Sequence, residues 1–262
     1  MQEIIQKKMN SRATGILWTQ SFLKGEERGK WECKFHQMSV TFYYDALIII
    51  KLLKLIDSKD LKDIQGIFVT SGHALRALKE SLAQDVPIFT VGDQTAKNAQ
   101  NLGFKSIFSS NGDAVDLKNL ILKRCFPEKG PLFYPRGVHV HCDLKSDLEA
   151  AGFCVHEEIV YEGVESREFF PETVQNLKNG KIRDVFLFSR RASEIFMNHI
   201  ELLNLKDILK GLRAFCLSSN VEKPLLKARW KGIHVSSHPS IDALMELFVK
   251  ETPLIERGMG KI

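Results

Sequence analysis

The sequence lacks most of the short motifs that mark a nucleotide, hydrolase or metal site. No G-x-G-x-x-G follows a strand-like run and no G-x-x-x-x-G-K-[ST] occurs, which argues against a dinucleotide site or a P-loop. The G-x-S-x-G elbow of α/β-hydrolases is absent as well. One dense group of ligand-type residues, H-V-H-C-D from His139 to Asp143, leads into a helix-like segment. We therefore interpret this group as a helix start rather than a metal site.

Paired cysteines, long apolar runs and blocks of like charge are also missing. The five cysteines form no C-x-x-C, which predicts free thiols in a reducing compartment. The densest apolar run, A-L-I-I-I-K-L-L-K-L-I, contains two lysines and is shorter than the ~20 residues that cross a bilayer. The first residues lack the apolar core of a secretion signal. We therefore predict a cytoplasmic protein that binds no membrane.

The charge balance bears on the partner. The 37 lysines and arginines are interleaved with 32 acids, which leaves a net charge of +5 without a basic tail. Without such a tail we predict no nucleic-acid partner, although the balance itself would suit a nucleic acid as well as a polyanionic small molecule, or simply a solvated surface.

What the sequence does contain is an alternation of short apolar runs with amphipathic helical patterns. Runs such as G-I-F-V-T, P-I-F-T-V-G and D-V-F-L-F-S alternate with Q-T-A-K-N-A-Q-N-L-G and S-I-D-A-L-M-E-L-F-V-K-E. This alternation is typical of parallel sheets covered by helices on both faces, so the predicted class is α/β. Asp113 and Ser240 stand where N-caps begin helices, and Gly103 and Gly152 where C-terminal glycines end them. The length of 262 residues favours two domains.

One pattern occurs twice along the chain. I-F-V-T-S-G-H-A-L-R-A-L, residues 67–78, resembles V-F-L-F-S-R-R-A-S-E-I-F, residues 185–196, and pairs Ser71 with Ser189. A single match between apolar strands arises easily by chance, but several in the same order do not, so we predict a duplicated α/β unit. The other matches pair Gly92 with Ser218, Ser109 with Ser236, and Leu17 with Phe133.

The candidate site follows from this architecture, because ligands of parallel α/β units bind beyond the carboxyl ends of the strands. The residues predicted there are rich in hydroxyl groups, glycine and arginine, and they precede helices whose first N–H groups favour anions. A serine or threonine at such a place is often only an N-cap, so the interpretation depends on the repetition. The candidates are Thr70, Ser71, Gly92, Thr95, Arg136, Ser189, Arg190, Ser218, Ser219 and Asn220.

Two side chains have the chemistry for acid–base catalysis. Tyr161 ends the run C-V-H-E-E-I-V-Y, where the chain is predicted to leave the first repeat. Its phenol could donate a hydrogen bond or act as a weak acid, or its ring could simply pack at the domain junction. His73 begins a predicted helix, and we interpret it as a partly exposed helix residue.

In their order and spacing, the strand–turn–helix segments around Ser71, Gly92, Ser189 and Ser236, together with the strand ending at Tyr161, resemble the uroporphyrinogen-III synthase family. The resemblance covers nearly the whole chain. It implies two flavodoxin-like domains joined by a two-strand hinge, with the N-terminal strand and helix in the domain of the C-terminal half. The implied first domain is 1–44 plus 163–262, and the second is 45–162.

The resemblance also implies a reaction. A hydro-lyase of this family cyclises hydroxymethylbilane, a linear tetrapyrrole polycarboxylate, with loss of water and inversion of the last pyrrole ring through a spiro intermediate. No cofactor and no metal are expected, and neither is an oligomer, since a monomer is implied. The family's site positions fall on Ser71, Thr95, Ser189 and Tyr161, the last as candidate general acid. The family's usual turn is replaced here by S-S-N-V from Ser218 to Val221, and its usual first strand end by T-Q-S from Thr19 to Ser21.

Two other interpretations stay open on the residues alone. A sugar-transferase-like enzyme would also clamp its substrate with two α/β units, but it would want a glycine-rich diphosphate loop. A two-lobed small-molecule binding protein would share the architecture, but such proteins usually carry an export signal. Fold class alone does not separate these functions.

Overall fold

The structure is a computed structural model, and it describes residues 15–22, 25–57, 61, 63–78, 86–140 and 142–252. These residues form two compact units. Unit 1 contains the described residues of 15–49 and 165–252, and unit 2 contains those of 50–164. The chain therefore crosses from one unit to the other twice, at 49–50 and 164–165. The resemblance placed these crossings at 44–45 and 162–163.

The strands and helices of the described ranges follow the predicted alternation. The strands are β1 (Gly15–Trp18), β2 (Thr41–Tyr44), β3 (Ile48–Leu52), β4 (Gly66–Val69), β5 (Ile88–Thr90), β6 (Ile107–Ser109), β7 (Leu132–Gly137), β8 (Val155–Glu165), β9 (Ile182–Leu187), β10 (Arg213–Cys216) and β11 (Gly232–Val235). The α-helices are α1 (Gly25–Gln37), α2 (Gly72–Leu75), α3 (Asp93–Asn101), α4 (Ala114–Arg124), α5 (Leu144–Glu149), α6 (Pro171–Lys178), α7 (Arg190–Leu202), α8 (Ser219–Glu222) and α9 (Ile241–Lys250). Short 3₁₀ turns occur at Pro127–Lys129, Lys206–Gly211 and Lys223–Lys227.

The helix boundaries confirm the capping residues predicted from the sequence. Asp113 accepts hydrogen bonds from two N–H groups of α4 and completes a capping box with Asp116. Ser240 accepts from the Ala243 N–H at the start of α9. Gly103 and Gly152 both have φ of 90°, the left-handed conformation that ends helices. The sequence G-H-A-L-R-A-L-K-E-S-L-A, residues 72–83, also has a helical pattern, but α2 ends at Leu75 and residues 79–83 lie outside the described ranges.

Unit 1 is built on a five-stranded parallel sheet in the order β11-β10-β9-β1-β2. The pairing of β1 with β9 puts the N-terminal strand into the sheet of the C-terminal half. Strand β2 is missing from the strand-like runs of the sequence, because its T-F-Y-Y sequence forms the sheet edge and is only partly buried. Apolar side chains cover both faces, with Phe196 in the core on one side and Phe248 on the other.

Unit 2 is built on a six-stranded sheet in the order β3-β8-β7-β4-β5-β6, in which β4 to β8 pair in parallel. Its two faces are also covered by separate apolar cores, one containing Ile67 and Phe133 and the other Phe68 and Tyr134. The predicted α/β class with parallel sheets is therefore confirmed. Within the described ranges, no helix has both the length and the apolar character needed to cross a membrane.

The two sheets explain the repeat in the sequence. Reading each from one edge gives β11-β10-β9-β1-β2 and β6-β5-β4-β7-β8. Four of the five positions pair the strands that the sequence matched, so Ser189 follows β9 as Ser71 follows β4, and the fifth position pairs β2 with β8. The connections differ, because β1 and β2 precede β9 in the chain whereas β7 and β8 follow β4. The units are thus circularly permuted versions of one strand arrangement, which the sequence repeat did not predict.

Candidate active site

In unit 2, the carboxyl ends of the strands carry two polar pairs. Thr70 follows β4, and its hydroxyl lies 3.5 Å from the phenol oxygen of Tyr134. The second pair is His73 and Tyr161, whose ring centroids are 5.7 Å apart. Burial raises the pKa of Tyr134 above that of a free phenol, and the Tyr161 phenol adds to the rise. This edge therefore presents the Thr70 hydroxyl, the His73 imidazole and the Tyr161 phenol, and the buried Tyr134 phenol lies beside Thr70.

Tyr161 owes its position to a glycine on the neighbouring strand. A bulge between Arg136 and Gly137 brings Gly137 opposite Tyr161 in the β7–β8 ladder. A Cβ atom on Gly137 would lie 2.7 Å from Cζ of the tyrosine ring and 2.9 Å from its hydroxyl oxygen. The Tyr161 carbonyl also accepts a hydrogen bond of 3.0 Å from the Val138 N–H. Strand pairing and the absence of a side chain on Gly137 thus fix the half-buried ring at the strand ends.

His73 is half-buried, in agreement with the sequence interpretation, but its imidazole is more unusual. Its Nδ1 atom is buried and has no hydrogen-bond partner among the described residues. Burial, assisted by the nearby Arg76 charge, lowers the pKa of His73 from 6.5 to about 4. The imidazole is therefore neutral near pH 7, and it presents an uncharged ring to Tyr161.

This pKa makes the stability of unit 2 depend on pH. The unfolded chain binds a proton at His73 below pH 6.5, whereas the folded chain does not until about pH 4, so acidification stabilises the unfolded state. Moving from pH 7 to pH 5 should lower the free energy of unfolding by about 2 kcal/mol through this group. Urea unfolding of the wild type and of His73→Gln at pH 7 and pH 5 measures this change, which should be smaller in the variant. Equal pH dependence in the two proteins would contradict the assignment.

The predicted helix-start residues of unit 2 lie at the same edge. The Ser71 hydroxyl accepts from the His73 N–H at 3.3 Å, so it acts as the N-cap of α2. Gly92 caps α3 without a side chain, and a Cβ atom added there would meet nothing within 4 Å. Thr95 is half-buried in the first turn of α3. The amino terminus of α3 is therefore open to a ligand, as an anion site requires.

Arg136 has a different environment from the other candidates. Its guanidinium forms two hydrogen bonds with Glu157 on β8, of 2.7 and 3.1 Å. The remaining terminal nitrogen donates to the carbonyls of Gly137 and Val138. The pairing with Glu157 raises the pKa of Arg136 further, so its charge is permanent. A substrate carboxylate would have to compete with Glu157 for this side chain.

In unit 1, the candidates again lie at the carboxyl ends of strands. Ser189 follows β9 and its hydroxyl accepts from the Ala192 N–H at 3.1 Å, so it caps α7. Arg190 is exposed and lies 2.9 Å from Glu194 one turn later. Ser218 precedes α8 and forms no side-chain capping bond, which leaves its hydroxyl available. Ser219 and Asn220 follow it at the start of α8. Each unit therefore carries hydroxyls at equivalent strand ends.

The H-V-H-C-D group from His139 to Asp143 directly precedes helix α5. Among the described residues, no three histidine, cysteine or acidic side chains are placed to hold an ion. Asp143 caps α5 by accepting from the Ser146 N–H at 3.1 Å, which confirms the predicted helix start there. His141 of the same H-V-H-C-D group lies outside the described residues.

Sequence reasoning missed Tyr134. It stands inside the apolar run P-L-F-Y-P, is 2 % exposed, and stacks on Phe68 with ring centroids 4.3 Å apart. One property of the sequence could have indicated Tyr134: a tyrosine within an apolar run is expected to be buried, and a buried tyrosine usually finds a hydrogen-bond partner for its hydroxyl. That partner, Thr70, was itself a candidate from the strand-end argument.

These features define a class of protein: an α/β chain of two permuted parallel-sheet units with hydroxyl-rich strand ends. A solved structure of uroporphyrinogen-III synthetase from Helicobacter pylori 26695 is similar, with a TM-score of 0.59, 17% identity, and coverage of 91% of this chain and 99% of that chain. A mutant uroporphyrinogen III synthase from the extremely thermophilic bacterium Thermus thermophilus gives a TM-score of 0.53, 11% identity, and coverage of 94% and 100%. At such identities these likenesses concern the fold.

The family follows from the sequence itself. The family model described as uroporphyrinogen-III synthase HemD matches residues 50–246, well over half of the chain. This chain belongs to the uroporphyrinogen-III synthase family. The family predicted from the sequence, with its place in tetrapyrrole biosynthesis, is therefore confirmed. The comparison with curated proteins gave no match.

Proposed function

We propose that this chain is a working uroporphyrinogen-III synthase, a hydro-lyase that closes hydroxymethylbilane with inversion of the last pyrrole ring. The family match over residues 50–246 is the observation that carries the proposal. In this reaction the hydroxyl of the hydroxymethyl group leaves as water, and its methylene carbon remains as an electrophile. The last ring attacks this carbon through its own substituted carbon to give a spiro intermediate. That intermediate fragments and recloses as the inverted macrocycle. No observation favours a sugar transferase or a binding protein over this enzyme.

Tyr161 is the proposed general acid. Cleavage of the carbon–oxygen bond needs a proton or a strong hydrogen bond on the departing oxygen, and the phenol supplies either. Its position supports the role, because the ring is held at the strand ends by the β7–β8 bulge and by the bare Cα of Gly137. His73 lies beside this phenol, with ring centroids 5.7 Å apart, and its imidazole is neutral near pH 7. Tyr134 and Thr70 are proposed to orient the substrate beside it.

The remaining candidates are proposed as contacts for the substrate carboxylates. The helix start of α3, which no side chain caps, and the Ser218 hydroxyl, which makes no capping bond, favour anions without requiring a full positive charge. The dipole of α7 adds to this effect at Ser189, although that hydroxyl already caps the helix. Arg136 is the least suited, because Glu157 already occupies its guanidinium. The proposed carboxylate contacts are Ser71, Gly92, Thr95, Ser189, Arg190, Ser218, Ser219 and Asn220.

The finer architecture is also a proposal. The unit 1 order β2-β1-β9-β10-β11 is 2-1-3-4-5 when its strands are numbered along the chain, which supports a flavodoxin-like domain. We propose that residues near the two crossings form a two-strand hinge, and that the enzyme is a cytoplasmic monomer without a nucleic-acid partner. The five cysteines, none of which is in a disulfide, support a reducing compartment.

The test is the isomer made. Purified protein given freshly prepared hydroxymethylbilane should yield type III uroporphyrinogen, whereas the unassisted reaction closes without inversion to type I. Oxidation of the products and chromatographic separation of the isomers measure the ratio.

A further inference from the structure

A cavity lies at the opposite edge of the unit 2 sheet from the candidate active site. It has a volume of about 410 Å³, within the range of small-molecule sites, and Gln65, Pro87 and Ser106 line it. These residues immediately precede β4, β5 and β6, so the cavity opens at the amino ends of parallel strands. The candidate active site lies at their carboxyl ends, about 10 Å away along strands of three or four residues. The two sites are therefore distinct.

The cavity is cationic. Lys123 and Arg124 end α4, Lys129 lies in the following 3₁₀ turn, and all three are exposed in the lining. The lining includes no carboxylate of a described residue, and none of these cations forms an ion pair with one. Basic residues in a last helical turn often serve only the helix dipole. Lys129 ends the following 3₁₀ turn, and its ammonium lies 4.8 Å from the centroid of the Phe126 ring, a contact that leaves its positive charge unneutralised.

Flat groups form one wall of the cavity. Phe89 and Phe108 stack with ring centroids 5.4 Å apart and planes 24° apart. The Arg124 guanidinium lies 4.1 Å from the centroid of Phe108 and continues this stack. Gln65 holds the segment from Phe126 to Gly130 in place. Its side-chain oxygen accepts a hydrogen bond from the Phe126 N–H, and its side-chain nitrogen donates to the Phe126 and Gly130 carbonyls. The wall and the loop that carries Lys129 are thus preorganised.

Unit 1 provides an internal comparison, because the same strand position there is closed. The ladder pair Phe186–Phe215 of β9 and β10 corresponds to Phe68–Phe89 of β4 and β5. Asp184 lies two residues before Phe186, and Arg213 lies two residues before Phe215. Their side chains are joined by hydrogen bonds of 2.6 and 2.9 Å. Arg213 also donates to the Glu251 carbonyl and the Thr252 hydroxyl just after α9. In unit 1 the positive charge of Arg213 is therefore neutralised by Asp184 within the same protein.

Unit 2 has no counterpart of the Asp184–Arg213 pair at the equivalent positions of its strands. Gly66 corresponds to Asp184 and Pro87 to Arg213. Neither residue bridges the sheet to the end of the following helix, so the gap stays open and is bordered by Lys123, Arg124 and Lys129. The two units thus share the same strand arrangement. At the amino ends of the strands, however, unit 1 pairs its cation with a buried carboxylate, whereas unit 2 has three cations that form no ion pair with a described carboxylate.

We propose that this cavity binds a planar aromatic anion with two or more negative charges. The ring would stack on the outer face of the Arg124 guanidinium, which Phe108 supports from its other side, and the anionic groups would face Lys123 and Lys129. A flat conjugated ligand fits the stacked wall, and cations that form no ion pair with a described carboxylate supply the charge complement. A nucleotide and an aryl polycarboxylate share this chemistry. The site is independent of the synthase reaction.

The test uses the full chain and hydroxypyrene trisulfonate, a flat fluorescent trianion, followed by fluorescence anisotropy. We expect saturable binding that weakens about tenfold or more in the triple variant Lys123→Gln/Arg124→Gln/Lys129→Gln. The matched control is Lys178→Gln/Lys181→Gln/Arg229→Gln, which removes the same charges from exposed sites in unit 1 and should bind like wild type. Phe108→Leu should weaken binding while keeping every charge.

The outcomes separate the proposal from its alternatives. Displacement of the probe by adenosine triphosphate would support a nucleotide ligand, and displacement by benzenetetracarboxylate an aryl polycarboxylate. Circular dichroism and thermal melting confirm that the triple variants are folded, and synthase activity should be unchanged in both. Absence of saturable binding to wild type, or equal affinity of wild type and the cavity variant, would overturn the proposal.

Discussion

Tyr161→Phe is expected to lower the turnover of hydroxymethylbilane by about 10²–10⁴-fold, the usual contribution of a general acid. The substitution removes only the hydroxyl, so the ring still packs over Gly137 and the fold should be unchanged. The product should remain type III, because ring inversion depends on how the substrate is held rather than on this proton. Single-turnover rates with isomer analysis measure both quantities.

The control for this variant is Tyr43→Phe, which removes a phenol from a half-buried ring in unit 1. It should leave turnover near the wild-type value. A wild-type rate for Tyr161→Phe would make Tyr161 a packing residue, and the proton would then have to come from water or the substrate's own carboxylates. A switch to type I product would instead assign Tyr161 to substrate folding.

Arg213→Ala is expected to cost unit 1 about 3–5 kcal/mol of its free energy of unfolding, because it leaves a buried carboxylate without its partner. Asp184 is 0% exposed, and Arg213 binds both of its oxygens. The same guanidinium holds the residues after α9 through Glu251 and Thr252. Burial keeps the pKa of Asp184 raised even beside this arginine, which shows how much the site depends on it.

Two controls separate charge burial from loss of packing. Lys210→Ala removes the cation of an exposed pair with Asp207 and should change stability by less than about 1 kcal/mol. The double variant Asp184→Leu/Arg213→Met replaces the pair with apolar groups and should recover most of the loss. Urea unfolding monitored by tryptophan fluorescence gives the values, because the three tryptophans all belong to unit 1. A loss below about 1 kcal/mol in Arg213→Ala would contradict the account.

Local sequence patterns predict many of the strands and helix ends of this fold. Continuous apolar strands such as β4 and β9, and caps such as Asp113 and Ser240, act over a few residues, so periodicity and turn chemistry predict them. The repeat predicted the equivalence of Ser71 and Ser189 for the same reason. Circular permutation is not visible in such patterns, because it concerns which strands become neighbours. Strand β2 was missed because an edge strand buries too little to show an apolar run.

The candidate site was predictable in place but not in detail. Strand ends selected Thr70, but its Tyr134 partner comes from a strand 64 residues away along the chain. Likewise, nothing local predicts that Glu157 occupies Arg136 or that the His73 imidazole is buried without a partner among the described residues. These facts depend on register and burial, which only the folded chain sets.

The most direct measurement of the central claim is the isomer ratio formed from hydroxymethylbilane. The protein belongs to the synthase family, and its strand ends carry the proposed acid and anion contacts, so the account predicts mainly type III uroporphyrinogen. The fraction of type III should rise with enzyme concentration as the catalysed path outruns spontaneous closure. Type I product alone at high concentration of folded enzyme would contradict the account.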